Sequence, residues 1–369
     1  MVEPVRRCVL LVGPAIRPRR CPISRTESSP VNIGEIARRA QVSRSTVSYA
    51  LSGKRPVSEE TRRRIQKVIE EMGYRPNAAA RALARGETRT LGLVFPPASS
   101  HYTEMQLDFI GGLVEAAGAR DYDVLMSQAG AGEDRSFQRL VGERRVDGAI
   151  LMEIRLQDAR VEQMRASGFP FVTIGRTRHP DGTAWVDLDH LALVTRCVRH
   201  LSDLGHRHLA FVNRSQALLD AGYESARRGL DGFEIAVREL DLTGIHYPCD
   251  DDAAAGEACA ARIMAEHPHV TGIVTVNEAA LGGLYRGLTE AGRKIPRDIS
   301  VTGIAGARWA DAVTPALTAA DVPAHDMGRI AIDLLLERIA EPSAPYRTRL
   351  LTPPVILRAS TGPAALPPS

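Results

Sequence analysis

Val42-Ser43-Arg44-Ser45-Thr46-Val47-Ser48-Tyr49-Ala50-Leu51 decides how the first part of this chain folds. With Ser43 capping a helix by accepting its first free N–H groups, Val47 and Leu51 fall one turn apart, with Ala50 beside them, and form a core face. Ser45 and Tyr49 lie one turn apart on the opposite side, and Arg44 projects from the exposed first turn. Just upstream, Ile33, Ile36, Ala37 and Ala40 share one stripe, and Ala37 is small enough to let two helices approach closely. Two short helices joined by a tight turn, the second with a free polar face, are how a helix-turn-helix offers a reading helix to the major groove of DNA. A plain helical hairpin would share the apolar stripes but not the sequence that follows.

After Gly53-Lys54-Arg55-Pro56-Val57, Ser58 is a second good N-cap, with Glu59 and Glu60 in the first turn, where the helix dipole favours negative charge. Ile65, Val68, Ile69 and Met72 repeat at helical spacing and Gly73 is placed to end the helix, so three helices enclose one small core. Then come Tyr74-Arg75-Pro76-Asn77 and the run from Ala78 to Gly86.

In this order the motifs resemble the LacI/GalR family of bacterial transcriptional regulators, from Val31 to about Thr361, with Arg75-Pro76-Asn77-Ala78-Ala79-Ala80-Arg81-Ala82-Leu83 in the family's hinge position. The resemblance implies an N-terminal all-α helix-turn-helix headpiece plus hinge helix, and a C-terminal α/β core of two doubly wound subdomains resembling periplasmic sugar-binding proteins. It places Arg44, Ser45 and Tyr49 at base-reading positions, and Asn32, Ser43, Thr46, Ser48, Lys54, Arg55 and Ser58 at positions that commonly meet phosphates. Phosphate contacts orient and base contacts choose. The family often has Arg where this chain has Tyr49, so a bidentate guanine contact from that position is lost. Gln41 stands where the family often has Gly, and a left-handed backbone there would cost a non-glycine residue about 1 kcal/mol.

The Ala-rich hinge has good helix propensity but is shorter than the roughly 12–15 residues at which an isolated helix becomes even marginally stable, so it should be frayed until something orders it. In the resembling family two hinges pair on DNA and a Leu wedges into the minor groove; carried over, Asn77 caps the hinge helix, Ala80 permits close pairing and Leu83 is the wedge. A plain linker helix with Leu83 packed on the next domain is the other reading.

Charge divides the chain in the same way. Residues 31–90 hold 13 Lys and Arg against 6 Asp and Glu, while the chain after residue 90 holds 28 against 36, so a formal net charge of only +3 conceals a basic start and an acidic body. Residues 1–30 read as a disordered basic leader: Gly13-Pro14 breaks the only apolar run, and Arg17, Arg19 and Arg20 follow at once, unlike a signal peptide. No apolar run approaches the ~18 residues of a membrane span. Five scattered cysteines with no C-x-x-C pair indicate neither a disulfide framework nor a thiolate zinc site and fit a reducing cytoplasm.

From about Thr90, runs at 91–95, 122–126, 148–152, 169–174, 209–213, 272–277 and 299–304 read as buried strands, alternating with helices at 105–119, 189–204, 223–240, 253–266, 278–291 and 323–340. Such alternation gives parallel sheets covered by helices on both faces. The expected division is a leader at 1–30, a headpiece at 31–76, hinge and linker at 77–89, a core at 90–362 and a tail at 363–369. The resemblance splits the core into 90–188 plus 321–347 and 189–320 plus 348–362, with a ligand in the cleft between them. Ligands of open α/β sheets bind beyond the carboxyl ends of the strands, which is the same cleft.

For that ligand the resemblance implies Asn277 and, in place of the usual Asp, Glu278. Gly303-Ile304-Ala305-Gly306 lacks the carboxylate that often grips a sugar hydroxyl; the usual ligand-binding Arg position is Gly229, with Arg228 adjacent. Tyr102, Asp108, Arg176, Asp189 and Trp309 fall at strand ends or cleft loops and are equally compatible with surface loops or structural hydrogen bonds. The implied effector is small and polar, a sugar or sugar derivative.

No nucleophile elbow, P-loop, H-E-x-x-H or dinucleotide fingerprint occurs, so an enzyme is not indicated. His206-Arg207-His208 and His267-Pro268-His269 lack a surrounding ligand cluster, and neither a metal nor a cofactor is expected. The expectation is a homodimeric, ligand-gated repressor on a pseudo-palindromic double-stranded operator, with no membrane partner. The alternative is a solute-binding module with a vestigial headpiece.

Overall fold

A computed structural model of the chain describes residues 32–52, 55–74, 86–95, 104–128 and 138–364. The chain divides into two compact units, Met1–Arg85 and Gly86–Ser369. The leader at 1–30, Lys54, the hinge residues Asn77, Ala80 and Leu83, and Tyr102 lie outside the described residues.

In the first unit α1 (Ile33–Arg39), α2 (Arg44–Ser52) and α3 (Glu59–Met72) close on Ile36, Ala37, Ala40, Val47, Ile65, Val68 and Ile69, with Ile33, Ala50, Leu51 and Met72 packed at the margin. Each helix begins on a side-chain cap, of which Ser43 and Ser58 are expected as caps from the sequence and Asn32 is not: Asn32, Ser43 and Ser58 accept the N–H of Glu35, Thr46 and Thr61 at 3.1, 3.0 and 3.3 Å. Gly73 ends α3 in the left-handed conformation, φ 57°, which costs glycine nothing. Gln41, in the turn between α1 and α2, is also left-handed, at φ 52°.

The second unit carries two six-stranded sheets of the same winding. The first runs β11-β5-β4-β3-β1-β2, from β1 (Thr90–Phe95), β2 (Asp123–Gln128), β3 (Gly148–Leu151), β4 (Phe171–Ile174), β5 (Ala184–Leu188) and β11 (Thr348–Leu351), all parallel. The second runs β12-β10-β9-β8-β6-β7, from β6 (His208–Asn213), β7 (Thr243–Pro248), β8 (Gly272–Thr275), β9 (Ser300–Ala305), β10 (Thr318–Asp321) and the antiparallel β12 (Val355–Ile356). In each sheet the winding reverses beside the first strand, between β1 and β3 and between β6 and β8, which is where such sheets open a crevice.

The helices are α4 (Glu104–Gly118), α5 (Ala159–Ser167), α6 (His190–Asp203), α7 (Gln216–Asp220), α8 (Glu224–Glu239), α9 (Ala253–Glu266), α10 (Glu278–Glu290), α11 (Ala307–Ala312) and α12 (Ala324–Ala340). Helix α12 returns to the first sheet and crosses α4 where both present glycine: a Cβ on Gly112 would stand 2.0 Å from the His325 carbonyl oxygen, and one on Gly328 2.4 Å from that of Phe109. The chain passes between the lobes after β5, after β10 and after β11.

Two corrections to the sequence reading follow. Residues 348–351 belong to the first lobe, because Thr348–Leu351 pairs along β5 from Trp185 to Leu188, so the third crossing falls at 352–354. Strands β5, β7, β10, β11 and β12 were not read as strands. Thr318–Asp321 is half alanine, which has little strand propensity, and β7 and β11 are edge strands with mostly exposed or half-exposed side chains, so neither shows a buried apolar run.

Candidate functional site: a reading helix and an acidic cleft

The headpiece presents α2 by its first turn. Arg44 and Ser45 are exposed, Thr46, Ser48 and Tyr49 are half-buried, and Val47 is fully buried beneath them. Burial of Val47 thus fixes the rotation of the helix and turns Arg44 and Ser45 outward. The Arg44 guanidinium lies over Gly34 of α1, where a Cβ would come within 2.7 Å of Nη2. Tyr49 stacks beneath Arg55, with the guanidinium carbon 5.2 Å from the ring centroid, so the residue replacing the family's Arg brings a cation to the same edge. Arg38 and Arg39 are tied to Glu35. Of the phosphate positions, Asn32, Ser43 and Ser58 are helix caps, which places positive helix N-termini and their remaining free N–H groups there, while Ser43 Oγ also meets Thr46 Oγ1 at 2.8 Å.

In the second unit a cavity of about 950 Å³, part of it open to solvent, lies between the lobes at the carboxyl ends of both sheets. Met152 and Glu153 follow β3, Gly175 follows β4, Asp187 and Leu188 end β5, Arg214 follows β6, Val276 and Asn277 follow β8, and Ile304 is in β9. Most of the wall is apolar, including Phe109, Met105, Ile154 and Val322.

Two polar networks join the lobes across it. In the first, Gln106 Nε2 donates to Glu153 Oε1 at 2.7 Å, Glu153 Oε2 pairs with Arg214 at 2.9 Å, and Arg214 reaches Asp251 at 3.2 Å. Burial pushes the Glu153 carboxyl up, but Arg214 beside it wins and holds it below the usual range, so both stay charged. Glu153 is also left-handed, φ 52°, an uncommon state for a non-glycine residue that these bonds hold in place. In the second network Arg228 pairs with Glu224 at 2.8 Å and Asp187 at 3.6 Å, and donates to the Arg176 and Thr177 carbonyls at 3.0 and 3.1 Å, while Arg176 pairs with Asp187 at 3.2 Å and covers the Trp185 ring. Burial, then the neighbouring Glu224, raises Asp187 well above the carboxylate range, and burial lowers His190 so that it is neutral. Ligand atoms of Asp187, His190 and Glu224 lie within 4.8 Å of one another, but the two guanidinium groups already supply the charge a divalent ion would bring.

Of the described residues the sequence singled out for the effector, only Asn277 and Glu278 reach the cavity wall. Asn277 is spent on structure: it caps α10 through the Ala280 N–H and donates to the Cys249 and Asp250 carbonyls at 2.8 and 3.2 Å. Asp189 caps α6 through Ala192, Arg176 and Arg228 stand behind the wall in the ion pairs above, Trp309 packs on the second lobe's core, and Asp108 is half-buried on α4 outside the lining. Sequence reasoning missed Gln106, Glu153, Asp187, His190, Arg214, Glu224 and Asp251. Their common signal is position, since apart from Gln106 each is at or just after a strand's carboxyl end or opens the next helix. His206 is structural, bonded to Thr271 Oγ1 and the Gly362 carbonyl, and Asp252 caps α9.

Comparison with known proteins agrees with this division. Residues 32–77 match the model of bacterial regulatory proteins of the lacI family, and residues 198–361 match that of a periplasmic binding protein-like domain. Catabolite control protein A of Priestia megaterium is 30% identical over 315 residues, spanning 83% of this chain and 91% of that protein. A lac repressor dimer bound to operator and the anti-inducer ONPF superimposes with TM-score 0.79 at 22% identity, covering 90% of this chain and 99% of that one. A complex of the transcriptional regulator CelR with cellobiose gives 0.64 at 23% identity, covering 89% and 99%. At these identities the structural likeness establishes the fold. Among the described residues no helix is long and apolar enough to cross a membrane. With both family models in their expected order and a relative of this identity aligned over most of its length, the chain belongs to the lacI family of bacterial regulatory proteins.

Proposed function

We infer that this protein is a sequence-specific, DNA-binding transcriptional regulator whose operator affinity is set by a small polar ligand in the interlobe cleft. The observation that carries the reading is the pairing, in one chain, of a reading helix with Arg44 and Ser45 turned outward and a cavity at the carboxyl ends of two doubly wound sheets. Arg44, Ser45 and Tyr49 read bases; Asn32, Ser43, Thr46, Ser48, Lys54, Arg55 and Ser58 hold the phosphates. Leu83 is the minor-groove wedge of a hinge capped by Asn77 and paired at Ala80. The active form is a homodimer on a pseudo-palindrome in the cytoplasm, acting by promoter occlusion and not as an enzyme.

The ligand is a sugar or sugar derivative, a reading supported by the CelR structure, which holds cellobiose in the same fold. The ligand acts by binding one lobe arrangement better than the other, and the Glu153–Arg214 and Asp187–Arg228 pairs are the contacts such a change must remake. Selection of bound sequences from a random duplex pool, with and without a metabolite extract, tests this. A two-fold related motif whose enrichment changes with the extract is expected; recovery of no motif in either arm contradicts it.

A further inference from the structure

We propose that the ligand of this cleft is an amine-bearing small molecule of about the size of an amino sugar, with its ammonium group seated against Glu278. The proposal rests on reading the cavity as the effector site and adds the charge of the effector. Five carboxyl groups face the cavity, from Glu153, Asp187, Glu224, Asp251 and Glu278, against one guanidinium, that of Arg214. Arg176 and Arg228 answer Asp187 and Glu224 from behind the wall, and Arg214 is shared by Glu153 and Asp251.

Glu278 is left over. It is 7% exposed, forms no ion pair among the described residues, and its Oε2 has no hydrogen-bond partner there. The backbone N–H groups of Gly306 and Met105, one from each lobe, favour its charged form. Of the charged groups around it, Arg214 acts to lower its pKa and Asp108 of α4 to raise it; burial outweighs both, and the carboxyl is pushed up to about 8. His190, neutral, contributes no countercharge. A buried carboxyl in a cavity wall with one oxygen unpartnered is completed by a donor, and a ligand ammonium supplies both the hydrogen bond and the positive charge that lets the carboxyl ionise. A neutral polyol supplies only the hydrogen bond.

Calorimetric titration of the full-length protein with matched amino, hydroxyl and acetamido sugars on gluco, galacto and manno skeletons tests this. At least one amine should bind tenfold or more tighter than both of its neutral partners. At pH 7 its binding should release close to one proton to solvent, read from the dependence of the heat on buffer ionisation, because the incoming ammonium stabilises the ionised Glu278 carboxylate and displaces its proton to the buffer. Glu278→Gln should abolish both the preference and the release; if that variant fails to fold, proton release by the unaltered protein carries the test alone. A neutral sugar that binds tighter than its amine partner, or a preference that survives in Glu278→Gln, overturns the proposal and leaves the effector reading standing. Silence from every amine also overturns it. The effector reading then falls only if a metabolite extract leaves operator affinity unmoved.

Discussion

Replacing Glu278 by Gln should make the protein more stable at neutral pH by an amount that grows with pH. In the folded protein burial raises this carboxyl from 4.5 to about 8, so it keeps a proton that the unfolded chain releases above 4.5. A group raised in this way gives stability that is fully present below its unfolded pKa and is lost as pH climbs through its folded one. Each pH unit between the two values is worth about 1.4 kcal/mol, so from pH 5 to 7.5 the wild type loses about 3 kcal/mol through this group. Glutamine has nearly the same volume, keeps a side-chain acceptor oxygen, and does not titrate. Other titrating groups, Asp187 and Glu153 among them, remain in both proteins and cancel in the difference. The chain's two tryptophans, Trp185 and Trp309, lie one in each lobe, so urea unfolding followed by their fluorescence reports the second unit alone. The stability advantage of the variant should rise by about 3 kcal/mol across that range. A difference independent of pH would refute the assignment of Glu278 as a buried, uncompensated acid.

Arg44→Ala should cost roughly 1–3 kcal/mol on the preferred half-site and broaden sequence choice there, measured by competition against variant duplexes; equal weakening on random DNA would make Arg44 a phosphate contact. Gly112→Ala should destabilise the core by about 3 kcal/mol in the same urea assay, because the new Cβ lands 2.0 Å from a backbone oxygen of α12 that cannot step aside alone. A loss below about 1 kcal/mol would show that the α4–α12 crossing yields freely. Gln41→Gly relieves a left-handed residue in the helix-turn-helix turn and should stabilise the headpiece by about 1 kcal/mol, seen as slower amide exchange in α1 to α3; faster exchange would contradict it.

The headpiece was legible because its pattern is local. Caps, stripes and the closing glycine all act within one turn or between adjacent helices, so Ile36, Val47 and Ile65 could be placed in a core from spacing alone. The alternation of strands and helices gave parallel sheets covered by helices for the same reason, while the division into two lobes came from the resemblance. Edge strands such as β7 and β11 escaped because one-sided burial removes the apolar run that marks a strand. The cleft was legible in place but not in composition. Asp187 and Glu224 come from different lobes, Glu153 and Arg214 likewise, and nothing in either stretch states that they will meet. Position alone was ambiguous at Asp189 and Asn277, since a polar residue after a strand serves as a helix cap as readily as a ligand contact; both are caps, and Asn277 also reaches the cavity wall.

The central claim is that a basic head reads duplex DNA by sequence while an acidic trunk senses a small molecule. Its most direct test is the affinity of the full-length protein for its selected pseudo-palindrome relative to random competitor duplex at about 0.15 M salt, where non-specific phosphate binding is screened. The account predicts a preference of at least about a thousandfold, reduced or strengthened by the effector. Equal affinity for both duplexes, in every state of ligation, would contradict it.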